Sequence, residues 1–583
     1  MAEKLHKGSL DDIPITGGSL AQVSQSSSDT NDKLELSATA APLRKPDLVA
    51  QFSTIDLPDT VDFGDDGRAR VTVTNRGNAL AQGPVTVNLY ISTDGDIDRN
   101  TAGELVNDGL LTTVVRNLNL QPGESTTFEL EYDNLTSVVA PGAYNLIAEV
   151  DSQNAIAERN ENNNVVSKHV SAPGTDIVID WNATALNAIQ AEGEISGGVP
   201  PTLGSRLLAI VSAAVYDTVN AFDRTHTPYA VDALAPSGAS VEAAAAGAAY
   251  HALVELLPNQ AALFHQQLVR SLIEITDNPV AEATGVAFGQ FVADQIVALR
   301  ENDNSNNNAP YVPPPGDYIW RPDPGTVALS PNWGSVTPFA IPSVKQFAPD
   351  GLDGRPDTNP ELYAQEIEEV RRKGGKENTA LTTITRTAEE TEIAVFWAYD
   401  RKDTFRPYGQ LNQITEEVAV REGNTLAENA RLFAQLNIAL ADAAIVAWDA
   451  KYRELQPRPD DVIAGGFAAN DGIEATVGDP DWQPLLSPTP PFPDYISGHS
   501  IFGGAFAGVL TNFFGDNYEF TAVSQELIGT TRTYGSFYEA AYEDAISRVY
   551  GGIHVRESTV TDALPTGLNI GNFVAQNLFQ PVV

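Results

Sequence analysis

The chain has 583 residues, no cysteine, one methionine at position 1, and a formal net charge of −42 from 77 acidic against 35 basic side chains. Lack of cysteine excludes disulfides and thiolate metal sites, and the acidic field makes nucleic acid and anionic membrane surfaces poor partners. No uninterrupted apolar run reaches the roughly 18 residues that a membrane-spanning helix needs, and residues 1–40 lack the apolar core of a standard secretory signal. Residues 1–45, rich in Ser, Asp, Gly and Thr, read as a disordered leader.

From 46 to 171 the texture is β. Period-two runs such as Arg70–Thr74 and Val85–Ile91 alternate with turn clusters at Asn75-Arg-Gly77, Gln121-Pro-Gly123 and Pro141-Gly142. This regular spacing predicts an antiparallel sandwich of immunoglobulin type. Asp94, Asp96 and Asp98 alternate like a calcium loop, but the glycine and closing glutamate of an EF-hand are missing, so calcium and a solvated turn both stay open. Residues 172–180 read as a linker. Residues 181–583 read as a mainly α-helical bundle domain, so the chain as a whole is multidomain. Amphipathic segments are predicted at 206–222, 241–257, 259–275 and 280–299. A Pro-rich loop spans about 302–360, and further helices are predicted at 361–373, 386–400 and 425–451.

Three stretches near the C-terminus carry the chemistry: Lys451–Pro459 (KYRELQPRP), Ser497-Gly498-His499, and Ser547–His554 (SRVYGGIH). Together they supply three cations (Lys451, Arg458, Arg548), a hydroxyl beside a glycine, and two histidines. Guanidinium forks, an ammonium and exposed backbone N–H groups suit a compact tetrahedral oxyanion. One histidine can bond to its central atom while the other moves protons. Thr425 and Glu428 form a capping-box signature for the helix that ends near Lys451, with Trp448 on the same face. Pro457 and Pro459 hold Arg458 in an extended loop. The run Pro488–Pro493 delivers Ser497-Gly498-His499 to the N-terminus of an apolar helix, and Gly551-Gly552 turns His554 back towards Arg548.

These motifs resemble those of the vanadium-dependent haloperoxidases, whose site is shared with bacterial acid phosphatases and lipid phosphatases of the type-2 phosphatidic acid phosphatase superfamily. The resemblance implies one vanadate per chain, with His554 as the vanadium ligand. Lys451, Arg458, Ser497, Gly498 and Arg548 would hold the vanadate oxygens. His499 would be the acid–base, so that the catalytic residues are His499, Lys451 and His554. Trp448 and Phe492 match positions lining the halide side of fungal chloroperoxidase-type members. Phe492 stands where bromide-selective relatives tend to carry histidine, which leans towards chloride-capable chemistry. Ile496 departs from the family's usual proline before Ser-Gly-His but removes no donor.

The implied partners are hydrogen peroxide, a halide (bromide or iodide at least) and an organic acceptor that becomes halogenated. The near absence of sulfur suits an enzyme that releases an oxidant. The alternative is an acid phosphatase, with His554 as nucleophile forming a phosphohistidine and His499 protonating the leaving group. Asp400 and Asp494 are candidate partners of the arginines or of His499; no acceptor for the second ring nitrogen of His554 can be read. The stretches Leu89–Asp94, Gly142–Asp151 and Glu158–Asn163 resemble a CARDB domain, an adhesion-like module of exported bacterial proteins. That likeness implies an extracellular or cell-surface address and a surface or matrix ligand for the β-domain.

Overall fold

A computed structural model describes residues 44–56, 67–92, 97, 99, 108–132, 143–161, 163–171, 176–196, 198–402, 404–527 and 530–582. The expected leader, apart from Arg44 and Lys45, and the carboxylates Asp94, Asp96 and Asp98 lie outside the described residues.

The β-region forms two antiparallel sheets. One has the order β1-β2-β5, made of β1 (Leu48–Asp56), β2 (Gly67–Asn75) and β5 (Ser125–Tyr132). The other runs β4-β3-β6-β7, from β3 (Ala81–Ser92), β4 (Asp108–Leu120), β6 (Ala143–Val150) and β7 (Val165–Ser171). Strict alternation in β2 sends Ala69, Val71 and Val73 into the shared core with Val85, Val87, Leu89, Phe128 and Leu130. The predicted turn at Asn75 is an Asx turn, because its Oδ1 accepts the Gly77 N–H at 3.0 Å. Lys45 already belongs to this region, since its carbonyl accepts the Asn78 N–H at 3.0 Å.

The helices begin earlier than the sequence suggests. Helix α1 (Ile177–Ser196) starts inside the stretch assigned to a linker, with the Asp176 carboxylate accepting the N–H groups of Val178 and Ile179. Next come α2 (Pro201–Asp223), α3 (Val241–Leu256), α4 (Ala261–Glu274), α5 (Pro279–Arg300), the single turn α6 (Val344–Phe347), α7 (Pro360–Gly374) and α8 (Ala388–Phe396). They are followed by α9 (Arg406–Glu422), α10 (Leu426–Glu454), α11 (Pro459–Ile463), α12 (Gly498–Phe514), a hairpin of β8 (Phe520–Val523) and β9 (Thr531–Tyr534), α13 (Phe537–Tyr550) and α14 (Ala563–Asn577).

Helix α10 is the axis of the domain. Its capping box is the one expected, with Thr425 accepting from Glu428 N–H and the Glu428 carboxylate accepting from Thr425 N–H. The segment Leu426–Ile463 is apolar and long enough to cross a membrane, yet 94% of its apolar window is buried in the protein. Burial of Leu432, Leu436, Leu440 and Ala447 against α2 and α12 accounts for that composition. Two buried carboxylates pin loops to the bundle. Asp442 accepts the N–H groups of Phe339, Ala340 and Ile341 at 2.6, 2.8 and 2.9 Å, which ties the long Pro-rich loop to α10. Asp217 does the same on α2 for Tyr229, Ala230 and Val231. Helices α12 and α14 touch backbone to backbone: a Cβ on Gly567 would lie 2.0 Å from the Ile501 carbonyl oxygen. That contact fixes the position of α12, whose N-terminus carries Ser497-Gly498-His499.

Candidate active site

Four of the seven anion-contacting residues expected from the sequence, Gly498, His499, Arg548 and His554, line one buried cavity of about 20 Å³; Arg458 reaches it through His554 and Lys451 through the Phe492 ring. Lys451, Arg458, Ser497 and Arg548 are each at most 1% exposed, and His554 and His499 are 3% and 7% exposed. Three obligate cations in such a place need opposite charge, and the chain supplies only part of it.

Lys451 sits in the last turn of α10 and donates to the carbonyls of Pro493 and Asp494, both at 2.9 Å. Its ammonium lies 4.8 Å from the Phe492 ring centre. Arg458 precedes α11 in extended backbone, as the flanking prolines require. Its Nε donates to Phe492 O and its Nη1 to Ile553 O, both at 2.8 Å. Arg548, in the last turn of α13, donates through Nη1 to Trp397 O at 2.9 Å and through Nη2 to the Asp400 carboxylate. Among the described residues, two buried guanidinium nitrogens of the site have no partner: Arg458 Nη2 and Arg548 Nε. Groups of that kind cost free energy unless something accepts from them.

His554 is reached as expected: α13 ends at Tyr550, and Gly552 at φ 79° reverses the chain. Arg458 Nη1 lies 3.0 Å from His554 Nε2, and a guanidinium can only donate, so Nε2 carries the lone pair. The proton is therefore on Nδ1, which donates to Asp494 Oδ1 at 2.6 Å. Asp494 is the acceptor that sequence could not name. It also receives the Val555 N–H at 3.3 Å. Asp400 is the ion-pair partner of Arg548.

His499 is oriented in the opposite sense. Its Nε2 is 2.9 Å from Ala398 O, so Nε2 bears the proton and Nδ1 is the basic nitrogen. Ser497 caps α12, accepting the Ser500 N–H at 3.4 Å, and Gly498 is the first residue of the helix. A Cβ on Gly498 would meet the Trp448 ring at 3.5 Å, an ordinary contact, so packing alone does not demand glycine there. Without a Cβ, the start of α12 leaves its backbone N–H groups open to an anion. Trp448 and Phe492 line the cavity with ring centres 5.1 Å apart and planes tilted by 54°, and Ile496 is fully buried.

The titration of these groups reports the same imbalance. Burial, then the Arg458 charge, push Lys451 well below the ordinary lysine range. Burial and the Arg548 charge lower His499 to about 3. Burial together with Arg458, Lys451 and Arg548 holds His554 well below its usual value. Burial lifts Asp494 to about 6 against the pull of Arg458. Asp400 stays below the usual range because Arg548 and His499 outweigh its burial. Burial is the largest cause of each of these three depressions, and the crowding of cations adds to it.

Comparison with known proteins bears on the same residues. Residues 431–582, which contain the seven expected anion-contacting residues and Asp494 but not Asp400, match the sequence model of the VCPO second helical-bundle domain. A bacterial vanadium-dependent iodoperoxidase superposes with a TM-score of 0.59 at 27% identity, covering 70% of this chain and 99% of its own. The chain is similar to the vanadium haloperoxidases. Vanadium chloroperoxidase of Curvularia inaequalis is 26% identical over 490 residues, 66% of this chain and 79% of that protein. An apo-type bacterial vanadium-dependent chloroperoxidase, 16% identical with a TM-score of 0.51, shares the fold. Residues 45–168 match the CARDB model, so this haloperoxidase-like helical region follows a CARDB β-domain.

Proposed function

We propose that the chain is a vanadate-dependent haloperoxidase that oxidises bromide and iodide with hydrogen peroxide and so halogenates organic acceptors. The observation that supports this most is a pair of buried guanidinium nitrogens without an acceptor among the described residues, Arg458 Nη2 and Arg548 Nε, beside a His554 Nε2 lone pair that faces only the Arg458 Nη1 donor. They fit a tetrahedral oxyanion with one apical nitrogen ligand. Vanadate, when bound, supplies a Lewis acid that polarises peroxide towards halide without changing oxidation state.

The chain's own residues do the rest. Asp494 fixes the His554 tautomer and raises the basicity of Nε2. Lys451, Arg458, Arg548, Ser497 and Gly498 hold the oxygens. His499 takes or gives a proton at Nδ1, and its neutral form dominates near pH 7 because its pKa lies at about 3. Trp448 and Phe492 form the apolar wall where halide would shed water. The CARDB match favours an address outside the cell, with the β-domain holding the enzyme to a surface or matrix ligand.

A second reading uses the same donors: a phosphatase with His554 Nε2 as nucleophile, for which the lone pair is equally suited. The aromatic Trp448–Phe492 wall favours halide chemistry over that one. Peroxide-dependent bromination of a β-diketone dye, with and without orthovanadate, separates the two when phosphate-ester hydrolysis is followed on the same samples. Vanadate-dependent bromination that His554→Ala abolishes is the expected result. Hydrolysis inhibited by vanadate, with no bromination, would replace the peroxidase by the phosphatase.

A further inference from the structure

The buried cavity adjoins a wider funnel of about 730 Å³, and Pro201, Asp400, Pro490, Phe492 and Ile553 line both spaces. That volume far exceeds what a halide or peroxide needs and lies within the range of small-molecule sites. Its wall is apolar along Leu329, Val395, Leu485, Leu486 and Pro491. Its rim is not: Arg401, Lys402 and Arg406 stand within six positions of each other in a chain with 35 basic residues in 583.

Arg406 is the fixed member of this rim. Its Nη1 donates to the backbone carbonyl of Asp400, and its Nε is buried with no partner among the described residues. Gly198 makes room for it, because a Cβ there would lie 2.5 Å from Arg406 Nη2. Lys402 Nζ donates to Gly193 O at 3.3 Å, so this cation is also held at the mouth by a backbone carbonyl. The carboxylates that line the funnel have cationic partners of their own, Asp400 with Arg548 and Glu526 with Arg401.

We propose that the funnel binds the organic acceptor itself, and that the acceptor is an aromatic or otherwise apolar carboxylate. Its apolar body lies along the Leu485–Leu486 wall and its carboxylate meets Arg406 and Lys402, which turns the far end towards the cavity. This deepens the haloperoxidase reading and rests on it for the reaction. Halide loses two electrons to peroxide, whose O–O bond breaks. A C–H bond of the acceptor gives way to a carbon–halogen bond, and the released proton, one proton from solvent and the atoms of peroxide leave as two waters. An acceptor held over the cavity gains position and selectivity over one met by a freely diffusing oxidant.

The test uses the full chain and two matched probes, 3-(4-hydroxyphenyl)propanoate and its amide. Calorimetry on the vanadate-free protein is expected to show saturable binding of the acid, tighter than the amide by about tenfold. In the double variant Lys402→Gln/Arg406→Gln the preference should vanish while the weak affinity for the amide stays. Leu486→Trp, which fills the apolar wall, should weaken both probes. Equal binding of acid and amide, no binding of either, or a preference indifferent to the double variant would overturn the proposal. Iodide oxidation to triiodide, followed without any organic acceptor, tests the haloperoxidase reading separately. Its failure would remove the reaction but leave the acid–amide result to decide the funnel.

Discussion

His499→Ala is expected to lower peroxide-dependent halide oxidation by ~10²–10³-fold while orthovanadate binding changes far less. The reason lies in where the proton sits. Nε2–H is committed to the Ala398 carbonyl, so Nδ1 is the group that can accept and return a proton, and no other neutral base lines the cavity among the described residues except His554, whose Nε2 faces Arg458. The same residue leaves a mark on stability. Its pKa falls from 6.5 to about 3 on folding, so between those values the unfolded chain binds the extra proton. The stabilisation is complete above the unfolded value and is lost as pH falls towards the folded one. Between pH 6.5 and about 4, the thermal midpoint of the wild type should therefore drop more steeply than that of His499→Gln. Equal slopes would mean that His499 is not buried neutral, and an unchanged rate in His499→Ala would remove it from the chemistry.

Asp494→Asn is expected to weaken orthovanadate binding by ~10–100-fold, with a parallel loss of bromination. The carboxylate accepts the Nδ1 proton of His554 at 2.6 Å and is the negative charge beside Lys451 and Arg458. An asparagine amide can still accept that hydrogen bond, so the fold and the tautomer survive. What disappears is the charge that makes Nε2 a strong donor and balances the cations. Circular dichroism should show an intact fold, while a vanadate titration shows the loss. Wild-type affinity in the variant would leave Asp494 a purely structural residue.

The parts of this molecule that sequence revealed are those whose signals are local. The capping box at Thr425, the prolines around Arg458 and the glycines before His554 each act within a few residues, and the structure has all three. Helix α9 gave no such signal. Its buried face carries Gln410, Asn412, Gln413 and Glu416, polar residues that break an apolar stripe and are tolerated only through long-range bonds such as Asn412 to Asn437 and Asn182 to Glu416. Helix α14 was hidden by Pro565, Gly567 and Gly571, which weaken helix propensity yet serve its close contact with α12. Within the site, the cations and histidines were legible from spacing. The sorting of Asp400 to Arg548 and Asp494 to His554 was not, because 148 and 60 residues separate the partners. The funnel is lined by six segments far apart in the chain and has no linear pattern at all.

The central claim is that His554 and its cationic neighbours form a site for one tetrahedral oxyanion. Titration calorimetry with orthovanadate, on the wild type and on His554→Ala, tests it most directly. The account predicts one saturable site per chain, competition by inorganic phosphate, and a loss of at least about 100-fold in affinity in the variant. Absence of saturable binding in the wild type, or equal affinity in His554→Ala, would contradict it.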